Sequence, residues 1–222
     1  MSNIIRFRSG YFQAATLIAL LVSVVLLTSA TGQGPPAETK YRNIQVLKGV
    51  PAKNVDPIMR AFNRALGVEC DFCHVQNQWE NESKPELGTA RKMFQMVKVL
   101  NENQLAKTRG VSCWTCHAGQ TKPSRLPRAE LDAELAKWPT DLASASEGVK
   151  LTMSVYDVTL HVACNHCHEL ADWKSSAKPA YKMVARMKAM FSMFPQYMPP
   201  EARTQCWMCH KGSTEPKRRK PF

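Results

Sequence analysis

Cys70-Asp71-Phe72-Cys73-His74 is the first of four copies of one pattern, and its reading governs the rest of the chain. The others are Cys113-Trp114-Thr115-Cys116-His117, Cys164-Asn165-His166-Cys167-His168 and Cys206-Trp207-Met208-Cys209-His210. Together they use all 8 cysteines. C-x-x-C-H is the attachment sequence of c-type haem. The two thiols add to the porphyrin vinyl groups, and the adjacent histidine is held under the iron. A zinc or disulfide scaffold would not need a histidine directly after each second cysteine. The pattern predicts four covalently bound haem c groups. Cys70, Cys73, Cys113, Cys116, Cys164, Cys167, Cys206 and Cys209 form the thioethers, and His74, His117, His168 and His210 are the proximal ligands.

The spacing of the four sites is uneven in an informative way. Cys70 to Cys113 is 43 residues, Cys164 to Cys206 is 42, and the interval between the pairs is 51. That is the signature of a two-haem unit occurring twice. The units are expected at 46–123 and 149–216, joined by a connecting segment at 124–148 with a short helix near Ala129–Lys137. Each unit reads as helix, haem site, longer helix, haem site. Asp56 and Pro57 make a helix start, as N-cap and first-turn proline, and Gly67 a stop. Lys84 to Asn101 places Met93, Met96, Val97 and Leu100 on one helical face, and Pro179 to Phe194 repeats this with Tyr181, Met183, Val184, Met187 and Met190. No alternating strand pattern occurs. The expected fold is mostly α, with short helices and irregular chain packed around four haems.

The ligand on the other face of each iron separates electron carriage from chemistry at an open iron. Beyond the motif histidines only His161 and His166 remain, so four bis-histidine haems are excluded. Methionine, a soft thioether that raises haem potential, is the alternative. Met59 lies 11 residues before Cys70 and Met153 lies 11 before Cys164, equal offsets that point to both as axial ligands. Met93 and Met183, 20 and 23 residues before Cys113 and Cys206, are the candidates at the second site of each unit. Met96, Met187 and Met190 are read as haem-contacting core. His166 sits inside its own motif and cannot reach its own iron, whereas His161 competes with Met183 for the fourth haem.

The formal charge is +12 over 222 residues. Removing residues 1–30, with Arg6 and Arg8 and no acid, leaves +10, and eight ionised propionates would bring it to about +2. The basic excess is thus propionate compensation and makes no case for nucleic acid. Residues 1–30 read as a signal peptide or an N-terminal membrane anchor, with an apolar stretch from Tyr11 to Leu27 before Thr28-Ser29-Ala30. Both alternatives place the body on the outer, periplasmic side of the membrane. Residues 31–45 are expected as a flexible tether and 217–222 as a solvated basic tail.

A methionine helix before C-x-x-C-H, a longer methionine helix, then G-V-[ST]-C-x-T-C-H-x-G, all duplicated, resembles the tetrahaem cytochrome subunit of bacterial photosynthetic reaction centres. The residues carrying the resemblance are Val46-Leu47-Lys48-Gly49-Val50, Met59, Gly67-Val68-Glu69-Cys70, Ala90-Arg91-Lys92-Met93, Asn101, Gly110–Cys116 and Met153-Ser154. It covers residues 44–216 in a chain shorter than the usual subunit. The resemblance implies a protein that re-reduces the photo-oxidised special pair. Its partners would be reaction-centre core subunits, a soluble electron-donor protein, and the membrane through the N-terminus. It also implies three Met–His haems and one with two histidines. Here Asn101 to Arg109 holds no histidine, so that fourth haem must use Met183 or His161. Two other classes share the motifs: a general periplasmic carrier serving another membrane oxidoreductase, and a multihaem redox enzyme. The enzyme needs an open iron, and every site here has a candidate methionine, so no catalytic residue is expected.

Overall fold

The computed structural model describes residues 34–105, 109–200, 202 and 205–216. The expected signal or anchor at 1–30 and the basic tail at 217–222 lie outside them. The chain divides into two units, one ending at Val55 and the other beginning at Asp56.

In the first unit, α1 (Ala37–Lys40) and a 3-10 turn (Ala52–Asn54) are tied by Ala37 N–H to Val50 O at 2.7 Å and Ala52 N–H to Pro35 O at 2.8 Å. The Glu38 carboxylate accepts from Gly49 N–H at 2.9 Å, which holds its pKa below the ordinary carboxylate range. Residues 34–45, expected as part of a tether, are therefore locally ordered. Loop closure is satisfied by backbone groups and one acid, a pattern that composition does not reveal.

The second unit is helical, and among the described residues only isolated bridges occur where a sheet would be. Its helices are α2 (Val55–Leu66), α3 (Pro85–Val99), α4 (Cys113–His117), α5 (Arg128–Leu135), α6 (Glu147–Leu160), α7 (Pro179–Phe191) and α8 (Trp207–His210). α2 begins one residue before the expected N-cap. Asp56 instead sits in the first turn and pairs with Arg60, favourable at the positive end of the helix dipole. Gly67 ends α2 at φ 66°, and a Cβ there would collide with the Gly119 carbonyl. α3 and α7 start at Pro85 and Pro179, where a missing N–H costs nothing. Phe62 and Phe94 hold α2 to α3, edge to face, at 6.0 Å.

The apolar core is thin. One cluster joins Met96, Leu100 and Leu105 to Phe194, with Met93, Met187 and Met190 packed on it. Among the described residues the largest side chains that are wholly buried are Thr159 and Ser154, whose hydroxyls have no hydrogen-bond partner. A fold of this length with so few buried apolar side chains needs apolar volume from elsewhere.

Candidate haem sites

Each C-x-x-C-H forms one helical turn. His74 N–H reaches Cys70 O at 3.0 Å, His168 N–H reaches Cys164 O at 3.0 Å and His210 N–H reaches Cys206 O at 3.1 Å, while the second motif is α4 itself. A turn puts positions i, i+3 and i+4 on adjoining parts of one face. Both thiols and the imidazole of each motif thus share a surface, and all eight cysteines are free thiols.

The imidazoles are oriented alike. Nδ1 of His74 lies 3.0 Å from Trp79 O, of His117 2.9 Å from Gln120 O, of His168 3.0 Å from Trp173 O and of His210 2.9 Å from Ser213 O. A carbonyl only accepts, so Nδ1 carries the proton and Nε2 keeps its lone pair. This is the arrangement that orients a metal-bound histidine. Burial also holds His117 and His210 below the usual histidine pKa, towards the neutral form that can ligate.

The supports recur between the halves. Lys84 Nζ donates to Asp71 O and Lys178 Nζ to Asn165 O, each bracing the first variable residue of its motif. Gly119 N–H binds Ala65 O and Gly212 N–H binds Thr159 O, both at 2.8 Å, joining each second-site loop to the end of the helix that precedes the first site, α2 and α6. The second site has a further brace. Asn101 Nδ2 donates to Val111 O at 2.9 Å, and its Oδ1 accepts from Val111 N–H at 2.7 Å. The seam between second sites is close: α4 packs on α8, and Cys116 Sγ lies 2.9 Å from Cys209 Sγ.

The expected axial methionines all stand on helices: Met59 on α2, Met93 on α3, Met153 on α6 and Met183 on α7. The first three are half-buried, whereas Met183 is 40% exposed. His166 is exposed. His161 is exposed too, in a left-handed cap at the end of α6 (φ 54°), and it lines a cleft of about 370 Å³ with Trp138, Asp157 and Cys164. Burial, with Glu134 nearby, raises Asp157 to about 6. Sequence reasoning passed over Asp157, the two bracing lysines and the tryptophan carbonyls. The recurrence of Trp79 and Lys84 as Trp173 and Lys178, each 94 residues on, was the available signal.

Haem fits these residues on three counts: paired free thiols on one face, proton-tied imidazoles, and a core lacking apolar volume. Cysteines 73, 113 and 206 have pKa values raised chiefly by burial, as expected of thiols facing an apolar group.

The sequence pattern of the family described as "Photosynthetic reaction centre cytochrome C subunit" matches residues 18–159, more than half of the chain. The photosynthetic reaction center cytochrome c subunit of Thermochromatium tepidum is 32% identical over 116 residues, covering 50% of this chain and 28% of that protein. The protein of the same name from Roseobacter denitrificans is 26% identical over 195 residues, covering 79% and 52%. Cytochrome c-554 of Chloroflexus aurantiacus is 33% identical over 81 residues, 34% of this chain and 20% of that protein. The chain spans about half or less of the length of these relatives.

Proposed function

We propose, from the premise that this chain belongs to the photosynthetic reaction-centre cytochrome c subunit family, that it carries electrons on the outer face of a membrane and re-reduces a photo-oxidised special pair. The family is one of electron carriers that bind c-type haem, not of enzymes. When bound, each haem supplies a one-electron ferric–ferrous couple. The chain's residues do the rest. Cysteine pairs 70/73, 113/116, 164/167 and 206/209 would fix four groups covalently, and His74, His117, His168 and His210 would offer Nε2 as ligand. Met59, Met93 and Met153 would add thioethers, ligands that raise haem potential. The seam at Cys116 and Cys209 brings the second sites together, as a relay through both units requires.

The observation that carries this reading is the fourfold recurrence of two free thiols beside an imidazole whose Nδ1 is bound to a backbone carbonyl. Intact mass after denaturation should exceed the polypeptide by four haem units. Flash excitation of washed source membranes should oxidise c-type haem. An organism without a reaction centre would leave the second reading, a general carrier for another membrane oxidoreductase.

A further inference from the structure

We infer that Met187, and not Met183, is the methionine of the fourth haem site, an inference that rests on the haem reading above. Counted back from the last motif Met187 lies 19 residues away, against 20 for Met93 and 23 for Met183, and the structure adds anchors that fix the register. α3 and α7 start at prolines 85 and 179, each directly after a lysine whose ammonium braces the preceding motif. These paired anchors set one helix onto the other with an offset of 94 residues, the offset that also relates Cys70 to Cys164 and Met59 to Met153. Carried along the helix, Met93 falls on Met187 and Met96 on Met190. Counted from the motif before them, Met93 and Met187 both lie 23 residues past the first cysteine, and Met183 lies 19 past.

Burial separates the same two candidates. Met93 and Met187 are both half-buried against the shared cluster of Met96, Leu100, Leu105 and Phe194, while Met183 is 40% exposed. Met183 and Met187 share a helical face but stand about 6 Å apart along the axis, so one iron position can take only one of them. His161 is placed elsewhere. It lines the cleft with Trp138, Asp157 and Cys164, at the third motif and not the fourth. With Met187 in place, all four sites pair histidine with methionine and none is bis-histidine.

The test uses the full-length holoprotein, with haem content checked first by intact mass. Met187→Ala should remove about a quarter of the ferric methionine–iron charge-transfer band and let the ferrous protein bind one carbon monoxide per chain. Met183→Ala should change neither. Met187→His guards against a folding defect: it should keep every iron six-coordinate while moving one redox step to lower potential. The inference is overturned if Met183→Ala or His161→Ala opens an iron and Met187→Ala does not. A wild-type mass with fewer than four haems would instead overturn the haem reading itself.

Discussion

Replacing Gly67 by alanine should destabilise the protein more than the same change at Gly212, and the difference measures one backbone approach. Both glycines are left-handed, at φ 66° and 82°. A Cβ at Gly212 meets open space, but at Gly67 it would run into the Gly119 carbonyl, backbone that cannot swing aside. Left-handed strain costs an alanine roughly 1–2 kcal/mol, and the stiffer unfolded chain returns about 0.4–1 kcal/mol. Gly212→Ala should therefore lose about 1 kcal/mol. In Gly67→Ala the loop must also retreat and give up the 2.8 Å bond from Gly119 N–H to Ala65 O, a further ~1 kcal/mol. The total near 2 kcal/mol corresponds to a Tm lower by about 4–8 °C for a unit of this size. Thermal unfolding of the two holoprotein variants, each with full haem content, would read it. Equal shifts would mean that the end of α2 and the second-site loop do not meet as described.

Met59→His and Met153→His should each keep the iron six-coordinate and lower one haem's potential, since imidazole favours ferric iron more than thioether does; an unchanged redox titration would remove that methionine from the ligand set. Asp157 supplies a pH test. Its folded pKa of about 6 lies above the ordinary 3.8, so between those values the folded state binds more protons than the unfolded one. Its contribution is full below about pH 4 and is lost as pH rises through 6. Asp157→Asn should raise Tm at pH 7 by a few degrees, on the order of 1–2 kcal/mol after allowing for partial exposure, and should add nothing at pH 4. A gain of the same size at both pH values would show that ionisation is not the cause.

Much of this was legible in the sequence because period and punctuation are local. The apolar stripe of Met93, Met96 and Leu100, the prolines at 85 and 179 and the stop at Gly67 locate three helices within a few residues of their observed bounds. The thiols and imidazoles were legible for a stronger reason, since covalent attachment demands those residue types at one spacing. The supporting shell was not. A backbone carbonyl accepts a proton whatever side chain it carries, so nothing in the letters marks the residues holding His117 and His210, Gln120 and Ser213. The order in residues 34–45 escaped for the same reason, being built on backbone pairing and one carboxylate.

The proposal at the fourth site turns on which methionine of the second half matches Met93. Measured back from the next motif, Met93 lies 20 residues away, Met187 19 and Met183 23, so this count already leans to Met187, and all three stand on an apolar helical face. That count, however, runs through the loop between helix and motif, where the second half is one residue shorter than the first and where chain length is least constrained. Measured forward, the count crosses the segment pinned at both ends by the bracing lysine and the N1 proline. Rigid chain preserves register and loops do not, so the forward count should govern, and it selects Met187. Periodicity could not have resolved this, because Met183 and Met187 differ by one helical turn and keep the same face. An anchor outside the helix, the 94-residue repeat that the bracing lysines and N1 prolines keep in step, tells one turn from the next.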